Sequence, residues 1–230
     1  MLAIKPLYQH VLAQQCVLCA NATHTADSLC APCLADLPWA PAHSCQQCGL
    51  PSHHRVCGAC LSDPPHFDFT HAVFQYGYPV DALLHAYKYQ HALHLSLSLG
   101  NLMVTAMMKT LQSQHIEVLI PMPLHPQRLK ERGFNQSLEL AKVMAKQTGI
   151  ALNYQHCQRI RNTPPQASLK LKDRVRNIKG AFEYCGQLQG QHVAIIDDVM
   201  TSGASVNELA KILKQAGAAS VTCCLVARTL

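Results

Sequence analysis

Four Cys-x-x-Cys pairs stand within the first 60 residues of this 230-residue chain: Cys16/Cys19, Cys30/Cys33, Cys45/Cys48 and Cys57/Cys60, with ten, eleven and eight residues between successive pairs. A two-residue gap lets a tight turn aim two thiolates at one ion, and two such knuckles complete a tetrahedron. Four knuckles therefore predict two closed tetrathiolate zinc sites, structural and not catalytic because no coordination position is left open. The simplest pairing is sequential, with Cys16, Cys19, Cys30 and Cys33 on one zinc and Cys45, Cys48, Cys57 and Cys60 on the other. A cross-braced arrangement joining the first pair to the third uses the same ligands, and spacing leaves both open. Gly49 and Gly58, each directly after a ligand, suit a knuckle turn at positive φ. Apolar side chains are so few here that the metal is expected to supply most of the folding free energy of the stretch. Disulfides and redox dithiols are the competing reading. Residues 1–15 have neither the basic nor the continuous apolar region of a signal peptide, so the thiols are expected to stay reduced in the cytoplasm. No run reaches the roughly 18 apolar residues of a membrane span, so no membrane insertion is expected.

The other four cysteines are scattered, and Asp63-Pro64-Pro65 follows the last clustered one. A Pro-Pro pair neither continues a helix nor donates to a sheet, which puts the expected boundary there: a cysteine-rich zinc ribbon over 1–65 and a second domain over 66–230. In the second part strand-like runs (70–76, 117–122, 192–197, 220–226) alternate with helix-like stretches (79–112, 135–147, 202–215). Leu138, Ala141, Met144 and Ala145 recur at helical spacing in the middle stretch, with Gly149 as its stop. Alternation of this kind predicts an α/β fold, a mostly parallel sheet with helices on both faces.

Charge is uneven. Residues 128–179 carry 12 Lys or Arg against three acids, an excess larger than the +6 of the entire chain. Such an excess marks an anionic partner, phosphate ligand or nucleic acid, more often than a merely solvated face.

The strongest chemical signal runs from Val193 to Ser205. Four apolar residues form a buried strand, Asp197 and Asp198 follow where open α/β sheets bind ligands, and a turn rich in Thr, Ser and Gly leads into a helix. The turn aims backbone N–H groups and hydroxyls at the positive end of the helix dipole and so makes a phosphate cradle. Carboxylates cannot hold phosphate, but beside such a cradle they suit the vicinal hydroxyls of a ribose. There is no GxxxxGK[ST] and no GxGxxG after a strand, which removes the usual support for nucleotide triphosphate hydrolysis and dinucleotide binding. The layout resembles the fingerprint of type I phosphoribosyltransferases, which bind 5-phosphoribosyl-1-pyrophosphate (PRPP). By that resemblance Asp197 and Asp198 contact the ribose 2′ and 3′ hydroxyls. The stretch Val199, Met200, Thr201, Ser202, Gly203, Ala204 and Ser205 forms the binding loop, with Thr201–Ser205 on the 5′-phosphate.

Upstream, Pro121-Met-Pro-Leu-His125-Pro-Gln-Arg128-Leu-Lys-Glu-Arg132-Gly-Phe-Asn135-Gln follows a strand, and Arg128 and Arg132 can offer planar multi-donor forks to a diphosphate. Asn135 is placed to cap the next helix, with Glu139 in its first turn. Arg161-Asn-Thr-Pro-Pro-Gln166 and Arg174 fall in a basic, proline-interrupted connection that reads equally as a lid or as a surface loop. Together with the cysteine pairs and the Asp-Asp-Val-Met-Thr-Ser-Gly string, these motifs resemble the ComF family across essentially the whole chain. ComF proteins join a double zinc ribbon to a phosphoribosyltransferase-like domain and are tied to uptake of single-stranded DNA in natural competence. The resemblance implies PRPP with Mg²⁺ at the site and single-stranded DNA as a partner, with a competence helicase or other uptake machinery beside it. Lys88 matches a family lysine, and with His125 and Arg128 it joins the expected phosphate or DNA contacts, although His91 and Ala92 replace the family's Gly and Asp. If the site turns over, pyrophosphate leaves ribose C1 through an oxocarbenium-like state, with Arg128, Arg132 and Arg174 as candidates to stabilise the departing charge. No residue announces an acceptor base. Two other readings are a nucleotide-salvage transferase with an accessory zinc module, and a binding protein whose Tyr76, Tyr78, Tyr87, Tyr89 or Phe134 stacks the bases of single-stranded DNA.

Overall fold

The computed structural model describes residues 14–23, 28–90, 92–162 and 177–230, which fall into two compact units divided between Leu37 and Pro38. In the first, β1 (Gln14–Gln15) pairs antiparallel with β2 (Ala22–Thr23), and the chain enters α1 (Ala31–Ala35) from Cys30 with a proline in the first turn. The knuckle between the strands closes through Cys16 N donating to Asn21 O (2.8 Å) and Ala20 N donating to Cys16 O (2.8 Å). Ala20 takes φ +60° to do so, a region where a Cβ is disfavoured.

The second unit, Pro38–Leu230, contains the third and fourth cysteine pairs as well as the sheet. Its knuckle repeats the first one bond for bond, with Cys45 N on Leu50 O (2.8 Å) and Gly49 N on Cys45 O (2.9 Å). Gly49 has φ +72°, as its place after a ligand predicts. Gly58 does not. It opens α2 (Gly58–Ser62) with ordinary helical backbone, because the second pair of each set starts a short helix instead of closing a knuckle.

The remaining elements are β3 (Phe69–Gln75), α3 (Val80–Tyr89), α4 (Leu95–Ser113), β4 (Val118–Pro121), α5 (Pro126–Arg132), α6 (Gln136–Thr148), β5 (Ala151–Leu152), β6 (Cys157–Arg159), β7 (Phe182–Tyr184), β8 (His192–Met200), α7 (Ala204–Gln215) and β9 (Ser220–Arg228). Five strands form one parallel sheet in the order β3-β9-β8-β4-β5, and β6 pairs antiparallel with β7 outside it. Val193 to Ile196 of β8 are wholly buried, which is why this run reads as continuously apolar and not alternating. Val193 and Ile195 pack with Val206, Leu209 and Leu213 of α7, while Leu140, Ala141 and Met144 bury the inner side of α6. Each buried Val, Ile, Leu or Met side chain among these contributes about 1.5–3 kcal/mol on leaving water. α4 and α6 cross so closely that a Cβ on Gly100 would stand 2.7 Å from Val143.

Three expectations need adjusting. The single helical region over 79–112 is two helices, because Gln90 leaves the helical basin (φ −113°, ψ 19°) before α4 begins; the apolar period runs through that break and hides it. β8 continues three residues past Asp197, and the acid pair therefore sits within a strand still paired to β9 through Val199 and Met200. β9 likewise runs on to Arg228. By contrast α6 is bounded as expected, with the Asn135 side chain accepting from Ser137 N (3.0 Å) and Leu138 N (3.4 Å), and Gly149 ending it in the left-handed region.

Candidate functional site

Each cysteine set closes on itself. The four Sγ atoms of Cys16, Cys19, Cys30 and Cys33 lie within 4.8 Å of one another, and so do those of Cys45, Cys48, Cys57 and Cys60. Zn–S bonds of about 2.3 Å in a tetrahedron set S···S edges of about 3.8 Å; Cys19 to Cys30 is 3.6 Å and Cys48 to Cys57 is 3.8 Å. Both sets thus fit one zinc each, in the sequential pairing. Burial opposes ionisation of Cys16 and Cys45, but backbone N–H donors from the knuckle and the facing pair outweigh it and hold each thiol at about 6. Those donors prepare the thiolate that a metal needs.

The carboxyl end of β8 and Tyr76, directly after β3, meet α3 and the start of α7 around a cavity of about 430 Å³, lined by Tyr76, His85, Lys88, Tyr89, Asp197, Val199, Met200, Thr201 and Gly203 to Val206 among others. The turn Thr201–Gly203 opens onto α7, whose first-turn N–H groups have no acceptor within the helix. Ser202 Oγ accepts from one of them, Ala204 N, at 3.4 Å.

The two acids part company here. Adjacent residues of a strand project to opposite sides. Asp197 lines the cavity, and its Oδ1 accepts from Ser137 Oγ (2.9 Å) and from Asp198 N (2.9 Å). Asp198 is buried; its Oδ1 accepts from Val199 N (2.7 Å) and its Oδ2 pairs with Lys88 Nζ at 2.8 Å. Burial and the neighbouring Asp198 charge push the Asp197 carboxyl up to about 7, against the pull of Lys88 and Ser137. Burial acts to lower the Lys88 pKa, but Asp198 outweighs it and holds the ammonium above the usual lysine value.

The remaining expected residues are more scattered. Arg128 pairs with Glu131 at 3.0 Å on the exposed side of α5. Arg132 donates to Gln136 Oε1 (2.7 Å), and its guanidinium carbon lies 5.3 Å from the centre of the Tyr89 ring, which itself lines the cavity. His125 caps α5, its Nδ1 accepting from Gln127 N at 3.2 Å. Arg174 and residues 163–166 lie outside the described residues.

The sequence reading missed four contributors. Ser137 sits behind the Asn135 cap and gives no signal of its own. His85 packs against Tyr89 one helical turn along α3, ring centres 5.0 Å apart and planes tilted by 46°, and no pattern marks it. Burial pulls the Arg159 guanidinium below its usual value, while the Asp197 charge acts the other way, which puts Arg159 within electrostatic reach of the site. Arg228 is buried and ends an apolar strand; burial lowers its pKa too, opposed by charge on Cys48 and Cys60. An arginine closing a run of seven residues without a charge was the one available signal, from Val221 to Ala227.

Comparison with known proteins separates the cysteine-rich stretch from the part that carries the acid pair and the turn. The Double zinc ribbon domain family matches residues 7–61 and the Phosphoribosyl transferase domain family matches 135–229. The chain is 33% identical over 220 residues to the DNA utilization protein YhgH of Salmonella typhimurium, covering 94% of this chain and 90% of that protein. It is 30% identical to Competence protein F of Haemophilus influenzae (88% and 92% covered) and 27% identical to Competence protein ComFC of Bacillus subtilis (85% and 82%).

Proposed function

Because the chain belongs to the ComF family, we propose that it serves a competence-related role in the cytoplasm, handling incoming single-stranded DNA, and that the cavity at the tip of β8 takes PRPP. The observation that carries the PRPP reading is the meeting of Asp197, Lys88 and the Thr201–Ser205 stretch in one cavity of about 430 Å³, the size range of small-ligand sites. In this reading Asp197 accepts hydrogen bonds from the ribose diol and the first turn of α7 receives the 5′-phosphate. Asp198 acts from behind, holding the Lys88 ammonium toward the diphosphate. Mg²⁺ arriving with PRPP would be held by Asp197 and would offset the charge of the bound diphosphate. Arg132, against the cavity-lining Tyr89, adds positive charge beside it, and Arg159 adds to the positive field felt by Asp197.

The DNA reading draws on the excess of Lys and Arg over 128–179 and on Tyr89 and Tyr78, both exposed. Backbone neutralisation of this kind makes affinity fall steeply with salt. Among the described residues no helix is long and apolar enough to cross a membrane. Calorimetric titration of the full chain with PRPP and Mg²⁺, and with a single-stranded oligonucleotide at low and moderate salt, tests both. Saturable PRPP binding and salt-sensitive DNA binding are expected, with no pyrophosphate released across a panel of free bases. Rapid pyrophosphate release with one base and no DNA affinity would replace this account with nucleotide salvage.

A further inference from the structure

The Arg228 guanidinium, at the end of β9, is buried among backbone carbonyls. Its Nε donates to Cys48 O at 2.9 Å, inside the second cysteine knuckle. Its Nη1 faces Met200 O (3.0 Å), Thr201 O and Thr229 O (2.7 Å), where β8 passes into the proposed phosphate turn. One side chain therefore ties a metal-binding loop to the turn that lines the cavity. Among the described residues no carboxylate pairs with Arg228. A buried guanidinium needs a compensating anion, and a zinc held by four thiolates carries a net double negative charge. Thr70 of β3 fixes the knuckle as well: Thr70 N donates to Gln46 O at 2.8 Å, Thr70 Oγ1 donates to Gln47 O, and a Cβ on Gly49 would stand 3.0 Å from Thr70 Cγ2.

We propose that Arg228 is a positioning residue that makes the second four-cysteine centre part of the phosphate site: the zinc tetrathiolate neutralises and orients its guanidinium, which in turn holds the Met200 and Thr201 carbonyls and sets the turn. The inference extends the PRPP reading, since it assigns a role to the turn that reading uses, but the link between metal and turn is measurable without PRPP. Partners that orient metal ligands from outside the coordination sphere change metal affinity by roughly 10–100-fold when removed.

The test compares the full chain with Arg228→Met and Arg228→Lys, reading zinc release to a chromogenic chelator and amide hydrogen exchange of residues 200–205. Wild type should release two zincs in two phases. Arg228→Met should speed one phase roughly tenfold or more, leave the other unchanged and loosen amide protection in the turn. Arg228→Lys keeps the charge but cannot bond to both loops, so it should show a smaller change in the same direction, and it decides the matter if Arg228→Met does not fold. Reciprocally, Cys48→Ser should raise exchange at 200–205, whereas Cys19→Ser in the first set should not. Wild-type release in both phases together with unchanged exchange in the Arg228 variants would overturn the link. Failure of the wild type itself to bind PRPP would reject the PRPP reading and leave these two readouts still deciding the role of Arg228.

Discussion

The cysteine knuckles and the acid strand are both built from residues close in sequence, yet one arrangement converges and the other diverges. In Cys45-x-x-Cys48 a turn with Gly49 at φ +72° brings both sulfurs to a common centre. Asp197 and Asp198 are nearer in sequence, but they stand in an extended strand, so one carboxylate lines the cavity while the other turns to Lys88. Proximity along the chain becomes proximity of functional groups only where the backbone period returns the side chains to one side.

The largest effect that would break this contrast belongs to the metal. Replacing Cys45 and Cys57 by serine should remove one zinc per chain and lower the melting temperature of the 38–230 unit sharply, since structural zinc supplies on the order of 10 kcal/mol. The same change at Cys16 and Cys30 should remove one zinc and leave that transition in place. Metal analysis with a thermal scan distinguishes the two, and equal transitions in both variants would contradict the assignment of the second set to the larger unit.

Next come the acids, whose divergence requires opposite signs. Asp198→Asn leaves the Lys88 ammonium, only 23% exposed, without its partner and should cost about 3 kcal/mol in urea unfolding. Asp197→Asn removes a carboxylate raised to about 7 and should stabilise the chain at pH 8. Because the folded pKa exceeds the unfolded one, the folded chain holds the extra proton between about pH 4 and 7. Stability from this group is therefore full below that window and is lost as pH rises through about 7. Asp197→Asn should flatten the slope; destabilisation of equal size by both substitutions would mean the acids share one environment.

The smallest effect compares the two knuckles. Ala20 adopts φ +60° where the second set has Gly49, so Ala20→Gly should stabilise zinc retention in the first set by about 1 kcal/mol. Gly49→Ala should cost at least as much in the second, since its Cβ would also press on Thr70 Cγ2 at 3.0 Å.

Legibility followed the range of the forces involved. Ligand spacing, the Asn135 cap, the Gly149 stop and the apolar run of β8 are local, and each appears in the structure where the sequence puts it. The break at Gln90 was hidden because amphipathic period constrains burial and not direction. Arg128 and His125, expected at a diphosphate from the motif after β4 and the family resemblance, meet local partners in the structure, Arg128 pairing with Glu131 and His125 capping α5. Ser137 reaches Asp197 across 60 residues, and Arg228 bonds to Cys48 across 180 and to Met200 across 28, separations that no local pattern records.

The central claim is that the Asp197 carboxylate grips the diol of a phosphorylated pentose. Titrating PRPP with Mg²⁺ into wild type and Asp197→Asn at pH 8, with melting and oligonucleotide affinity as controls, tests it most directly. The expected result is a loss of roughly 100-fold in PRPP affinity with fold and DNA binding retained, the scale of two charge-assisted hydrogen bonds. Equal affinity in the two proteins would contradict it.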